Sequence, residues 1–255
     1  MIEAIILGLI QGITEFFPVS STAHLILFPW FFGWKGSVDT LTFDVALHGG
    51  TLTALVFCFW KDWIELFTKK QKMLVMILLS SIPAGAAGFF LNDIAEKSLR
   101  EPFLISIMLI VVGFIMLAAE KSEKYKDIEK TDLMDAITIG IAQATALIPG
   151  VSRSGITIAA GLFKGLKRDA SARFSFLLST PIIAGATALH FKKILTSHES
   201  YDLQLFAAGF VASSITGFVA IKFLLSFLKK YPLNLFVYYR FILAVVIIAG
   251  IWLKG

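Results

Sequence analysis

Six apolar runs along the chain are long enough to cross a bilayer: residues 43–60, 73–91, 102–118, 174–191, 203–221 and 233–253. Each approaches the ~20 residues that a hydrocarbon core requires. Two further apolar regions are interrupted. Residues 2–33 break at Phe17-Pro18-Val19-Ser20-Ser21-Thr22, and residues 136–163 break at Ile148-Pro149-Gly150-Val151-Ser152-Arg153-Ser154-Gly155. The pieces on either side, about 10–16 residues each, are too short to span alone. Proline ends the helix before it because it lacks an N–H. The hydroxyl residues that follow can cap the next helix. The pattern predicts two re-entrant helix pairs, each entering and leaving the membrane on one side.

The pattern occurs twice, at an offset of about 131. Gly8-Leu9-Ile10-Gln11 answers Gly140-Ile141-Ala142-Gln143, and Pro18 to Ser21 answers Pro149 to Ser152. Phe43 answers Phe174, Trp60-Lys61 answers Phe191-Lys192, and Ser80-Ser81-Ile82 answers Ser213-Ser214-Ile215. Each half then holds one re-entrant pair and three spans. Three is odd, so the halves should run in opposite senses, an arrangement whose discontinuous helices meet near the midplane. The predicted fold is an all-α polytopic membrane protein, with six transmembrane helices plus two re-entrant helix pairs in an inverted-topology repeat. It forms one transmembrane domain, 1–255, whose halves 1–118 and 134–253 are joined by a cytoplasmic linker 119–133.

Composition excludes a soluble domain. The chain is 57% hydrophobic and 16% charged, with a mean hydropathy of +0.80, whereas soluble domains carry about 45–50% and about 25%. Its one cysteine, Cys58, leaves no internal disulfide. Met1-Ile2-Glu3 lacks a basic region, so no cleavable signal peptide is expected at this end. The net charge of +5 reads as loop lysines, with no nucleic-acid partner. With segments 61–72, 119–135, 164–173 and 222–232 in the cytoplasm, fifteen Lys and Arg lie inside. Six lie outside: Lys35, Lys97, Arg100, Lys192, Lys193 and Lys254. Arg153 and Arg240 fall within the membrane. This asymmetry puts both termini outside, opens the first pair outward and opens the second inward.

The breaks carry the candidate chemistry. Gln11 and Glu15 are one helical turn apart on one face, and an intramembrane carboxylate needs a cation, a metal or a proton. Ser20, Ser21 and Thr22 stand at a helix start, where free N–H groups and the positive dipole end favour an anion. Taken alone, these hydroxyls read more readily as N-caps than as an anion site, and His24 reads as a hydrogen-bonded core residue. Arg153 changes the balance. Arginine at membrane depth has to be paired, and its planar fork suits phosphate or carboxylate. An ion pair with Glu15 is the structural alternative, but Ser152, Ser154, Thr157 and the glycines around Arg153 build a cradle that a simple pair does not need. Gln143 repeats Gln11. Arg173 and Asp169 lie at the start of a span and read as interfacial. His48, His190 and His198 show no ligand spacing with one another. Any metal would be a hard ion held through oxygen, by Glu15 and a phosphate. Carboxylate, hydroxyls, imidazole and arginine together suggest phosphoryl chemistry on a lipid.

Gln11-Gly12-Ile13-Thr14-Glu15-Phe16-Phe17-Pro18-Val19-Ser20-Ser21-Thr22-Ala23-His24 resembles the Glu/Gln-x-x-x-Glu signature of the undecaprenyl-pyrophosphate phosphatases, the bacitracin-resistance protein family. Pro149-Gly150-Val151-Ser152-Arg153-Ser154-Gly155-Ile156-Thr157 resembles the second signature of that family. The resemblance runs over the whole chain. It implies hydrolysis of undecaprenyl pyrophosphate to undecaprenyl phosphate and inorganic phosphate, recycling the carrier for peptidoglycan and other wall polymers. It also implies the bacterial cytoplasmic membrane, a site open to the extracytoplasmic side and a divalent cation, Mg²⁺ or Ca²⁺. By motif position the essential groups are Glu15, Ser21, His24 and Arg153, with Glu15 the metal ligand. Gln11, Ser20, Thr22, Ser152, Ser154, Thr157 and Gln143 are expected to bind phosphate. The chain departs from the family pattern at Gln11, often glutamate there, so Glu15 has to carry the anionic role alone. The nucleophile is Ser21 or a water, and His24 is its base, its orienter or the acid to the leaving phosphate. The partners are the prenyl pyrophosphate and membrane lipids, and a homodimer is left open. The competing reading is a transporter or translocase of a phosphorylated prenyl lipid, since inverted repeats with broken helices are also transporter parts. A carrier needs the cradle but not the base and nucleophile.

Overall fold

The computed structural model describes residues 1–196 and 202–254, with the backbone alone for 92–98 and 190–196. The expectations for Lys97, His190, Lys192, Lys193 and His198 therefore lie outside the described side chains. The described residues form ten α-helices: α1 (Ile2–Phe16), α2 (Ser21–Phe32), α3 (Leu41–Thr68), α4 (Gln71–Ser98), α5 (Pro102–Glu120), α6 (Leu133–Thr145), α7 (Arg153–Phe163), α8 (Arg168–Thr196), α9 (Leu203–Leu228) and α10 (Asn234–Lys254). Six of them, α3, α4, α5, α8, α9 and α10, are long and apolar enough to cross a membrane. They coincide with the six predicted runs. The other four are the two short pairs, α1–α2 and α6–α7, broken where the sequence places Pro18 and Pro149.

Lipid offers backbone groups no partner, so helices that satisfy their own hydrogen bonds are the available solution. Their ends need caps. Asp132 and Asp135 form a capping box at the start of α6, and the Asp135 N–H holds the Asp132 carboxyl below its ordinary pKa.

The first helix of each short pair packs on a long helix distant in the chain. α1 lies along α9 of the second half, and α6 lies along α4 of the first. The remaining long helices meet in the pairs α3–α8 and α5–α10. Glycine permits the close approach on both sides. A Cβ on Gly12 would stand 1.9 Å from Thr216 Oγ1, and one on Gly140 would stand 2.3 Å from the Ser80 carbonyl oxygen. On one side of the breaks the core closes with aromatic rings, where Phe176 packs edge-on to Phe16 at 5.4 Å and tilts against Phe59 at 6.2 Å.

The two breaks have one backbone. Ser20 (φ 75°, ψ 93°) and Ser152 (φ 72°, ψ 111°) are the positive-φ residues other than glycine among those described. Each caps the helix after it: Ser20 Oγ accepts the Ala23 N–H, and Ser152 Oγ accepts the Gly155 N–H. The structural register through the breaks is therefore 132, not 131, and sets Ser20 against Ser152 and Ser21 against Arg153. The prolines tempt an alignment one residue shorter, but Gly150, at φ 94°, stands where the first break has Pro18.

Candidate active site

Because each capping serine turns the chain through a left-handed conformation, the helix after it starts with its next residue, and those two residues face one cavity. Ser21 opens α2 and Arg153 opens α7. Glu15, in the last turn of α1, lies between them. Ser21 Oγ donates to Glu15 Oε2 at 2.5 Å, and Arg153 Nη2 donates to Glu15 Oε1 at 2.7 Å. Gln11 Nε2 donates to Glu15 Oε2 at 3.0 Å, as their spacing of four predicts. The Glu15 and Arg153 side chains are 5% and 15% exposed, so the pair is screened far less than one at a surface.

The ion pair weighed from the sequence is thus present, but it does not use up the arginine. Arg153 Nη1 is buried with no hydrogen-bond partner, as are both polar atoms of the Gln143 amide and Oε1 of Gln11. Buried polar groups are nearly always paired, so a cluster of such orphans beside a cavity points to a polar ligand. The cavity has a volume of about 290 Å³. Glu15, Ser20, Ser21, Thr22, Gln143, Ser152 and Arg153 line its polar end, while Ala84 and Gly88 of α4 and Ile182, Ile183 and Ala186 of α8 form apolar walls.

Some sequence candidates lie elsewhere. Ser154 Oγ donates to the Phe17 carbonyl at 3.1 Å, tying the second break to the first. Thr157 is fully buried and bonds the Arg153 carbonyl and the Ser175 hydroxyl. Neither lines the cavity. His24 is not brought to the Glu15 cluster. Its Nδ1 faces the Ser20 carbonyl at 2.7 Å and its Nε2 faces the Tyr239 hydroxyl at 2.7 Å. A carbonyl can only accept, so Nδ1 carries the proton and the Tyr239 O–H donates to Nε2. The ring is thereby held against α10, where it braces Ser20. Arg173 is interfacial, paired with Asp62 and lying over the Phe59 ring.

Two residues carry no role that the sequence pattern indicates. His48 of α3 lines the cavity with its Nε2 3.6 Å from Glu15 Oε2 and its Nδ1 on the Asp44 carbonyl. Ligand spacing was the wrong signal to seek. A histidine followed by Gly49-Gly50 inside an apolar run was the useful one. Arg240 was visible as an intramembrane arginine but had no assigned partner.

The divalent cation can be tested against these donors. Among the described residues no three His, Cys, Asp or Glu side chains converge on one point. Glu15 already serves Ser21, Gln11 and a guanidinium. One engaged carboxylate beside a positive charge does not fit an ion held by the protein alone, since hard cations gather several oxygen ligands.

Known proteins match this chain along nearly all of its length. The profile of the family described as bacitracin resistance protein BacA matches residues 4–246. An undecaprenyl-diphosphatase of Thermodesulfovibrio yellowstonii is 60% identical over 247 residues, covering 97% of this chain and 96% of that protein. Proteins of the same name from Caldicellulosiruptor bescii and Moorella thermoacetica are 46% and 45% identical, covering 99% and 100% of this chain and 98% and 99% of theirs.

Proposed function

The chain belongs to the bacitracin resistance protein BacA family, and from that premise we propose how its site works. The protein is an undecaprenyl-diphosphatase, a membrane hydrolase that converts undecaprenyl pyrophosphate to undecaprenyl phosphate and inorganic phosphate. The observation that carries the residue roles is the hydrogen-bonded line Ser21–Glu15–Arg153 at the polar end of the cavity.

In this reading the terminal phosphate lies between the starts of α2 and α7. The free N–H groups of both helix starts and Nη1 of Arg153 bind its oxygens. Gln143 offers its amide to the same group. Glu15 takes the Ser21 proton as Ser21 Oγ attacks the terminal phosphorus. The bond from that phosphorus to the bridging oxygen breaks, the leaving undecaprenyl phosphate takes the proton from Glu15, and Glu15 is again a carboxylate. A water then attacks the phosphoserine. Glu15 takes a proton from that water and returns it to Ser21 Oγ, releasing inorganic phosphate. Arg153 is already in place where charge develops, an effect worth about 10²–10³ in rate. His48 borders the same carboxylate, and His24 holds the Ser20 carbonyl from behind.

The apolar walls take the first isoprene units of the tail. The cavity is lined by the early turns of α3, the late turns of α4 and the late turns of α8, the ends that the lysine asymmetry puts outside. The site accordingly opens to the extracytoplasmic face of a bacterial cytoplasmic membrane. A divalent cation would have Glu15 as its one protein carboxylate at this end of the cavity and would supply Lewis-acid charge stabilisation there.

Phosphate release from undecaprenyl pyrophosphate by purified protein tests these roles. Ser21→Ala, Glu15→Gln and Arg153→Ala are each expected to lower turnover about 10³-fold, and wild type given substrate labelled on the terminal phosphate should yield an acid-stable phosphoserine. Ser21→Ala turning over as fast as wild type would overturn the covalent route.

A further inference from the structure

Arg240 is fully buried in α10. It has no carboxylate partner among the described residues. Five backbone carbonyls surround its guanidinium instead. Nε donates to Leu109 at 3.1 Å and Nη1 to Pro18 at 3.2 Å. Nη2 faces Gly150 at 2.8 Å and Met108 and Val151 at 3.2 Å each. The repeat makes this arrangement specific. Pro18 and Gly150 each stand two residues before the left-handed serine of their break. A single side chain therefore holds equivalent carbonyls of both breaks. The same step of 132 sets Arg240 opposite Met108, whose carbonyl also accepts from Nη2. The guanidinium thus sits where the two halves of the repeat answer each other, and it does not line the cavity.

We propose that Arg240 is a positioning residue of the reaction, which fixes the separation and orientation of the two breaks and so the placement of Ser21 against Arg153. Two facts require such a device. A non-glycine residue at positive φ is strained and persists only where its surroundings over-determine it, and both Ser20 and Ser152 are in that state. Besides Arg240, the links between the breaks among the described residues are the Ser154 bond to the Phe17 carbonyl and the Arg153–Glu15 pair, and neither reaches Pro18 or Gly150, the residues that lead into the capping serines. The planar fork of arginine reaches several acceptors in fixed directions, which the point charge of lysine cannot do. An intramembrane charge satisfied only by carbonyls is costly to keep, and here every bond it makes goes to a break or to α5.

The inference rests on the reading that pyrophosphate binds between the breaks. Its test includes a readout that uses no substrate. Arg240→Lys and Arg240→Gln would be compared with wild type in full-length protein in nanodiscs. Backbone hydrogen exchange over residues 17–23 and 149–155 should rise about tenfold in Arg240→Lys in both breaks together, with α3 and α9 unchanged. Inorganic pyrophosphate should bind about tenfold more weakly, while farnesol, a tail without phosphate, binds as before. Turnover should fall about 100-fold in Arg240→Gln, the scale of a 1 Å misplacement. Loosening of one break alone, equal loss of both ligands, wild-type behaviour of Arg240→Lys, or failure of both variants to fold would overturn the proposal. Wild-type protein that does not bind pyrophosphate would instead overturn the functional reading, and the exchange pattern alone would then decide the role of Arg240.

Discussion

Ser20 and Ser152 share a backbone conformation to within 20° in both dihedrals and cap their helices with the same hydroxyl contact. Around them the two breaks differ residue by residue. The register of 132 sets Glu15 against Leu147, Ser21 against Arg153 and His24 against Ile156. One break therefore brings the carboxylate and the hydroxyl, and the other brings the guanidinium. The difference also explains the two glutamines, which stand nine residues before the capping serine in each half. Gln11 gives its amide to Glu15, one turn on. Gln143 has Leu147 one turn on, so its amide stays unpaired and lines the cavity. A shared backbone supplies two anion-binding helix starts, and unlike side chains turn that pair into a site with an acid–base side and a charge-stabilising side.

The largest effects should come from the residues that make the breaks unlike. Glu15→Gln and Arg153→Gln are each expected to lower kcat for phosphate release about 10³-fold, the scale of removing a general base or a positioned donor. The glutamines should come next and should separate. Gln143→Leu removes an amide free for the substrate and is expected to raise KM for undecaprenyl pyrophosphate about tenfold, as loss of a hydrogen bond to a charged group does. Gln11→Leu leaves that contact intact, so its KM should stay close to wild type. Equal KM values in the two variants would break the comparison. The histidines should follow. His48→Ala is expected to cost about tenfold in kcat/KM, and His24→Ala about threefold through a loosened Ser20 carbonyl. The reverse order would return His24 to the reacting cluster. Smallest are the caps, where the breaks are alike. Ser20→Ala and Ser152→Ala should each cost about 1 kcal/mol in unfolding measurements, and by similar amounts.

Most of the fold was legible in the chain because lipid leaves it few options. A run of apolar residues near 20 long has to be a spanning helix, and a proline followed by serines in a shorter run has to end one helix and cap the next. Glu15, Ser21 and Arg153 were legible for the same reason, as polar groups whose burial needs partners. The remainder was set by packing that local pattern does not encode. His24 and Thr22 stand two residues apart on α2, and the packing of α2 turns Thr22 to the cavity and His24 to Tyr239 of α10. His48 reaches Glu15 only because α3 lies beside α1. Arg240 is 222 residues from Pro18 along the chain, and no spacing rule links them. By residue type Pro149 is the partner of Pro18, which gives an offset of 131 through the breaks. The capping serines show that the positive φ of Gly150 does the work there instead.

A double-substitution cycle on Glu15 and Arg153 tests most directly whether the two breaks act as one site. Phosphate release would be compared for wild type, Glu15→Gln, Arg153→Gln and the double variant, with folding checked for each. Groups that work as a unit are non-additive, so the double variant is expected to be about as slow as either single one. Losses that multiply, with the double variant slower by the product of the two single effects, would contradict a joint site and leave two independent contributions.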